Sequence, residues 1–461
     1  MNGKELLQKL ENPSGASAAL FEKLYGTGGA EAGLKRFAAL VRNFPAEGLE
    51  PRRDVSGGAV RDRDFRLFTA AGRTELGGNH TDHNRGKVLA ASIQLDQAAV
   101  LTLRGDNRIF FRSTGYPDVC VDLVDSSGVP DLAPRENEKG TTEALIRGIA
   151  AEFISRGTGV RGFAVNADST VFPGSGLSSS AAVEVLFGRI MDNLFGGGKR
   201  SAVEIAQIGQ KAENVYFGKP CGLMDQIACA SGGAAAIDFG DAERPLVKQV
   251  DADLASAAYA LCVVNSGGSH ADLTPDYAAI PEEMKAAAAF FGGSVLREID
   301  KKTVEAGAAD LRKALGDRAL LRALHFFDEN DRVDAMLAAL EQFARAKSPA
   351  SKQTALAAYL KLVNESGDSS WELLQNVYSV CNVKEQGPAL ALTLTRNFLK
   401  RETKLPGACR IHGGGFAGTI QAYIPLSVLD AYRKTMDGIF GPHSVTTLNI
   451  RPVGAEELLI P

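Results

Sequence analysis

The sequence predicts an α+β protein of two domains behind a short helical appendage. Its 461 residues suffice for two substantial cores. Its apolar share of 45% and charged share of 23% are those of an ordinary globular chain. Strand-like and helix-like segments alternate irregularly through the first half, and long Ala/Leu-rich helices closed by strands fill the second.

Residues 17–25 and 30–44 carry apolar residues at helical spacing, and the Gly/Pro/Arg-rich stretch 45–63 separates them from the rest of the chain. Residues 1–64 therefore read as a helical extension. Strand patterns cover 88–93, 98–104, 108–112 and 162–165, with an amphipathic helix expected over 142–155. A helix over 178–194 opens directly behind a Gly/Ser loop, another spans 202–216, and 234–239 reads as a strand. These make a first domain over 65–250. A strand at 258–264 opens a second domain, 251–461, whose helices between about 282 and 400 are followed by strands near 408–412, 416–423 and 445–450. There is no repeat and no low-complexity tract.

A net charge of −4 gives no electrostatic case for nucleic acid or an anionic membrane as partner. No segment approaches a membrane span, and the N-terminus lacks the apolar core of a signal peptide, so a cytoplasmic protein is expected. The six cysteines form no CxxC pair and the six histidines are dispersed, which points away from a disulfide framework or a cysteine or histidine metal site.

Three stretches concentrate chemistry. Residues 171–182 read VFPGSGLSSSAA. Gly174 and Gly176 permit backbone conformations that expose successive N–H groups, and Ser178, Ser179 and Ser180 then fall on a helical first turn that favours an anion. There is no GxxxxGK[ST], so this is not a Walker-type phosphate loop. Taken alone, the stretch reads equally as a helix cap behind a flexible loop.

Residues 71–88 read AGRTELGGNHTDHNRGKV and pack Arg73, Asn79, His80, Asp82, His83 and Asn84 ahead of a strand. That density of hydrogen-bonding groups suits a polyhydroxylated ligand, with a solvated polar turn as the alternative. Residues 408–419, ACRIHGGGFAGT, hold a glycine run that fits close backbone approach or a tight hairpin.

In this order the stretches resemble the signature segments of the GHMP kinases, and of galactokinases in particular. That family shows GRxNLIGEHTDYNxG near its start, PxGxGLSSSAA in the middle and GGGFGG near its end, with CGIMDQ between the last two; residues 221–226 here read CGLMDQ. Weaker matches are NSGGSH at 265–270 with Tyr277 seven residues on, RALH at 322–325 before Glu329 and Asn330, and VNES at 363–366. The resemblance covers roughly 65–455. It implies a two-domain GHMP kinase fold, with an N-terminal domain like domain 2 of ribosomal protein S5 and a ferredoxin-like C-terminal domain.

It also implies transfer of the γ-phosphoryl group of ATP to the anomeric hydroxyl of galactose or a close relative. By motif position Asp225 matches the catalytic aspartate, which would take the hydroxyl proton, and Arg73 the arginine that keeps it ionised. Pro173, Gly174, Ser175, Gly176, Leu177, Ser178, Ser179, Ser180 and Ala181 would cradle ATP, with Gly414 and Gly415. Ser180 and Glu213 match the ligands of Mg²⁺. Asn79, His80, Asp82, Gly222 and Tyr277 match sugar-contacting positions.

Several residues depart from the pattern. Asn79 stands where the family has a glutamate that contacts the sugar's C6 hydroxyl, so an anionic acceptor such as galacturonate would meet less repulsion here. The family's Arg-Arg pair after the tyrosine is AAIP at 278–281, HTDYN has become HTDHN, and GGGFGG has become GGGFAG. Two other readings are a regulator that binds sugar and ATP without turnover, and a structural protein with a decayed site. The first would lose Ser180, Ala181, Asp225 or Arg73, and the second its glycines; all are present. Nothing in the sequence specifies an oligomeric state.

Overall fold

Two β-sheets, each covered by helices, carry the chain. The computed structural model describes residues 1–45, 64–171, 176–268, 273–381 and 383–461. Pro173, Gly174 and Ser175, expected at ATP, lie outside the described residues.

Three helices come first: α1 (Gly3–Glu11), α2 (Gly15–Tyr25) and α3 (Ala30–Arg42). Asn2 and Ser14 cap the first two by accepting from backbone N–H groups three residues on. This extension is more than an appendage. Leu6, Phe21, Leu24 and Phe37 bury against Leu67, Val100, Ala164 and Leu458 of the first sheet. Arg36 of α3 bonds the carboxylates of Asp96 and Asp168, and Tyr25 donates to Asp96 at 2.7 Å. A buried Asp96 also takes Arg451 at 3.0 Å, so the extension, the sheet and the C-terminus share one ionic centre.

The first sheet holds β1 (Arg66–Gly77), β2 (Lys87–Leu103), β3 (Arg108–Ser113), β4 (Val119–Asp122), β5 (Phe163–Ser169), β6 (Ala234–Asp238) and β7 (Leu246–Val250). Its eighth strand is the last of the chain. The two strand patterns at 88–93 and 98–104 are one 17-residue strand, β2, whose start pairs β6 and whose end pairs β5. Only β3 and β5 run parallel within it; the other pairings are antiparallel. Against one face pack α4 (Thr142–Ser155), α5 (Ser179–Met191) and α6 (Ala202–Lys211), and α7 (Met224–Ser231) comes next.

The second sheet comprises β8 (Tyr259–Asn265), β9 (Ala408–Ile411), β10 (Thr419–Pro425) and β11 (Val445–Leu448) in the order β11-β8-β10-β9, all antiparallel. In chain order that is 4-1-3-2 with helices after the first and third strands, the ferredoxin-like arrangement. Between β8 and β9 run α8 (Thr274–Phe290), α9 (Lys301–Ala306), α10 (Ala308–Leu315), α11 (Asp317–Arg345), α12 (Pro349–Ser369) and α13 (Gly387–Glu402); α14 (Leu429–Phe440) links β10 to β11. The chain then returns to the first sheet, where β12 (Glu456–Leu458) pairs β1 with Leu67 opposite Leu458. The expected boundary near 250 falls between β7 and β8, whereas the final residues belong with the first sheet.

β1 is among the elements that the sequence patterns left unread. Its residues are buried on both faces, so no polar–apolar alternation marks it. Its register against β2 shifts between Ala71 and Arg73 and again between Glu75 and Gly77. Bulges of this kind re-aim side chains, and here they bracket Arg73 and Glu75.

Candidate active site

The site is a cleft between the first sheet, the start of α7 and the helical side of the second domain. Arg73 on β1 grips Asp225 through two parallel bonds, Nε to Oδ1 and Nη2 to Oδ2, each 2.7 Å. Asp225 lies in the first turn of α7, where the free N–H groups favour a carboxylate. Ser178 donates to Asp225 Oδ2, and Arg73 Nη1 donates to the Gly176 carbonyl. One arginine thus ties the carboxylate to the entrance of α5. Burial opposes ionisation of Asp225, but Arg73, Ser178 and Lys219 outweigh it and hold the carboxyl below its ordinary range. The Arg73 side chain is 6% exposed, while a third (33%) of Asp225 opens to the cleft.

Beside this pair, Ser180 donates to Glu213 Oε1 at 3.1 Å, and Lys219 Nζ reaches the same oxygen at 3.4 Å. Gln226 bridges Glu213 and the buried Glu184 with bonds of 2.9 and 3.0 Å. Burial, and then the charge of Glu213, push the Glu184 carboxyl well above its ordinary range. The Ser180 hydroxyl in the first turn of α5 and the Glu213 carboxylate just after α6 fit Mg²⁺, which takes one or two protein oxygens and leaves the rest to phosphate and water. Among the described residues no cluster of three or more His, Cys, Asp or Glu forms a self-sufficient metal site.

The opposite wall is the turn between β1 and β2. Asp82 faces Gly222, and a Cβ there would overlap Asp82 Oδ2, so only glycine fits. His80 Nε2 is 3.0 Å from the Gly414 carbonyl. That carbonyl only accepts, so Nε2 carries the hydrogen and Nδ1 is left as an acceptor. Burial, with His83 adding repulsion, lowers His80 to about 3 and keeps it neutral. Tyr277 of α8 packs on His80 at 5.1 Å between ring centres, and its hydroxyl is 3.3 Å from His83 Nε2. A Cβ on Gly414 would meet the Tyr277 ring at 2.6 Å. The glycine run therefore packs between the turn, Tyr277 and Gly176 of the loop before α5, to which Gly413 is near. Gly414 and Gly415, expected at ATP, contact Tyr277 and Asn376 within the protein.

Asn79 is fully buried beneath the cleft. Its Nδ2 donates to Glu75 at 3.1 and 3.3 Å and to the Gly413 carbonyl at 2.8 Å. Its Oδ1 accepts from Asn376 at 2.8 Å and Ser370 at 3.3 Å. Both ends of the amide are engaged by protein groups, which leaves little capacity for the sugar contact expected of it.

The turn is clamped from α11. His325 Nε2 is 3.0 Å from the Asn79 carbonyl, and Glu329 Oε1 accepts from Gly78 N at 3.0 Å and Ser366 Oγ at 2.6 Å. Burial raises the Glu329 carboxyl, but His325, Arg332 and Arg410 prevail and bring it down to about 2. A folded value below the unfolded one contributes stability above about pH 4.3 that is lost as pH falls toward 2. Glu329→Gln is expected to cost about 2–4 kcal/mol at pH 7 and to flatten the dependence of Tm on pH between roughly 5 and 3, read by calorimetry.

Sequence reasoning picked out Asp225, Arg73, Glu213, Asp82, Gly222, His80, Tyr277, Asn79 and Gly414, and the structure brings these into one cleft, with Ser180 bonded to Glu213 beside it. Leu177, Ser179 and Ala181 sit with them at the start of α5. It passed over Glu75 and Lys219, which also line the cleft. A charged residue inside a quoted motif and a lysine two residues before CGLMDQ were the available signals.

The GHMP kinases N terminal domain model matches residues 144–233, and the galactokinase galactose-binding signature matches 59–102. The fold is that of a GHMP kinase. A galactokinase from Streptomyces coelicolor is 33% identical over 280 residues, 60% of this chain and 69% of that one. One from Streptomyces lividans is 30% identical over 399 residues, 85% of this chain and 90% of that one. The chain belongs to the galactokinase family of the GHMP kinases, as a galactokinase-like, ATP-dependent sugar kinase. The crystal structure of Lactococcus lactis galactokinase complexed with galactose superposes with a TM-score of 0.71 at 24% identity, covering 91% of this chain and 99% of that one. A mevalonate kinase shares the fold with a TM-score of 0.55 at 12% identity, covering 83% of this chain and 98% of that one. Among the described residues no helix is long and apolar enough to cross a membrane.

Proposed function

We propose that the protein transfers the γ-phosphoryl group of ATP to the anomeric hydroxyl of a galactose-type sugar held between Asp82, His80, Gly222 and Tyr277. The observation that carries this is the Arg73–Asp225–Ser178 cluster, which joins a clamped carboxylate to the start of α5. The sugar oxygen forms a bond to the γ-phosphorus, the bond to the ADP oxygen breaks, and the hydroxyl proton passes to Asp225. Because Asp225 lies low on the pKa scale, it accepts that proton late, as the attacking oxygen loses electron density to phosphorus. Arg73 steadies the carboxylate and offers positive charge to the transferring group.

The first turn of α5 would receive the phosphates on its N–H groups. Ser180 and Glu213 would hold Mg²⁺, which when bound neutralises phosphate charge. Lys219, whose ammonium is kept charged by Glu213 and Asp225 against the cost of burial, adds a cation at the same end. The site requires only small-molecule partners, in keeping with a cytoplasmic enzyme.

ADP release from Mg·ATP is the test, with galactose, N-acetylgalactosamine, galacturonate, glucose and mevalonate as acceptors. Turnover confined to galactose-type sugars is the expected result. Tight binding of sugar and ATP without acceptor-dependent ADP release would overturn it in favour of a sensor.

A further inference from the structure

The family pattern GRxNLIGEHTDYNxG has asparagine where this chain has Glu75 and glutamate where it has Asn79. The two residue types are interchanged, and the structure places them in direct contact through the Asn79 amide and both Glu75 carboxylate oxygens, at 3.1 and 3.3 Å. Arg410, itself fully buried, bonds Glu75 Oε1. Glu75 is 1% exposed and Asn79 0%. A carboxylate has thus moved from the turn into the strand beneath it, where a buried guanidinium neutralises it.

The amide left above it has a fixed orientation. Its NH₂ faces only acceptors, the Glu75 carboxylate and the Gly413 carbonyl, while its oxygen faces the Asn376 amide and the Ser370 hydroxyl. Reversing it would set oxygen against oxygen on one side. Glu75, with the Gly413 carbonyl and Asn376, fixes which way Asn79 points, and both residues of the pair line the cleft together with His80 and Asp82.

We infer that Glu75 is a specificity-determining residue that acts through Asn79: by keeping the cleft's floor carboxylate paired with Arg410, it admits a sugar bearing a carboxylate beside one bearing a hydroxymethyl group. This rests on the sugar-kinase reading above. A carboxylate at 79 would place negative charge nearer the acceptor, even with Arg410 beneath it, and select against uronic acids. With the pair interchanged, the floor presents a closed neutral amide and a glycine carbonyl.

The experiment compares the full-length wild type with Glu75→Asn, Asn79→Glu and the double variant. Thermal denaturation is measured, and calorimetry gives binding of galactose and of galacturonate at pH 7 in the presence of Mg·ADP. Each single substitution is expected to lower Tm, one by stranding Arg410 and the other by crowding two carboxylates around it. The double variant is expected to recover most of that loss. Its affinity ratio should move toward galactose over galacturonate by tenfold or more relative to wild type.

Losses of Tm that simply add in the double variant would overturn the pairing. A folded double variant with the wild-type affinity ratio would overturn the specificity role. If the single variants do not fold, folding of the double supports the pairing and its affinity ratio decides the rest; a double that also fails to fold overturns it. ADP release by the wild type, measured in parallel, reports on the kinase reading separately, because the affinity ratio does not depend on turnover.

Discussion

Asp225→Asn is expected to lower kcat roughly 10³-fold, about 4 kcal/mol of transition-state stabilisation, while leaving the KM for ATP within a few-fold of wild type. The carboxamide oxygen can still accept from Arg73 Nη2 and Ser178, at the loss of the second arginine bond, but it cannot take up the hydroxyl proton. Steady-state kinetics with a saturating sugar acceptor reads the effect. A thermal melt alongside is needed, because the variant removes the charge that faces a 6% exposed arginine. A loss of kcat at nearly unchanged Tm assigns the effect to chemistry. A comparable fall in Tm and in ATP affinity would make Asp225 a structural partner of Arg73 instead.

The second large effect is expected from Gly222→Ala. The added methyl group would overlap Asp82 Oδ2, and Asp82 also accepts from the backbone N–H of His83. Asp82 must rotate away or the 221–223 segment must shift, and either movement spoils the wall where a sugar's hydroxyls would bond. The expected loss is roughly 10²-fold in kcat/KM for the sugar, carried mostly by KM, with binding of ATP analogues unchanged. Titration of the sugar at fixed ATP separates the two constants. Equal damage to sugar and nucleotide binding would place Gly222 in a general structural role.

How far the fold is legible in the sequence depends on the face each element buries. The helix over Thr142–Ser155 is legible because Thr141 caps it and its apolar residues recur at helical spacing. The strands of the second sheet are legible as short apolar runs bounded by Gly and Pro. β1 is not, because its polar residues, Arg73, Thr74 and Glu75, are buried for the sake of the site and break any strand pattern. The return of β12 to the first sheet is hidden for another reason: a three-residue strand paired across almost the whole chain leaves no local signature.

The site divides along a similar line. Asp225, Arg73, Ser180 and Glu213 are readable because they stand in motifs whose spacing is tied to chemistry. Sequence reasoning caught half of the interchange at Glu75 and Asn79, the missing glutamate at 79 but not the gained one at 75. Contact between strand and turn makes them a pair, and contact is a property of the fold. Lys219 stands outside the motif proper, and its place beside Glu213 depends on how the turn after α6 folds back over α5.

The central claim is that a sugar's anomeric oxygen receives phosphate from ATP beside Asp225. Phosphorus NMR of the product formed from Mg·ATP and galactose tests it most directly. The expected product is a sugar phosphate whose phosphorus couples to the proton on C1, formed together with one ADP and absent with Asp225→Asn. Phosphate on another carbon of the sugar, or inorganic phosphate alone, would contradict it.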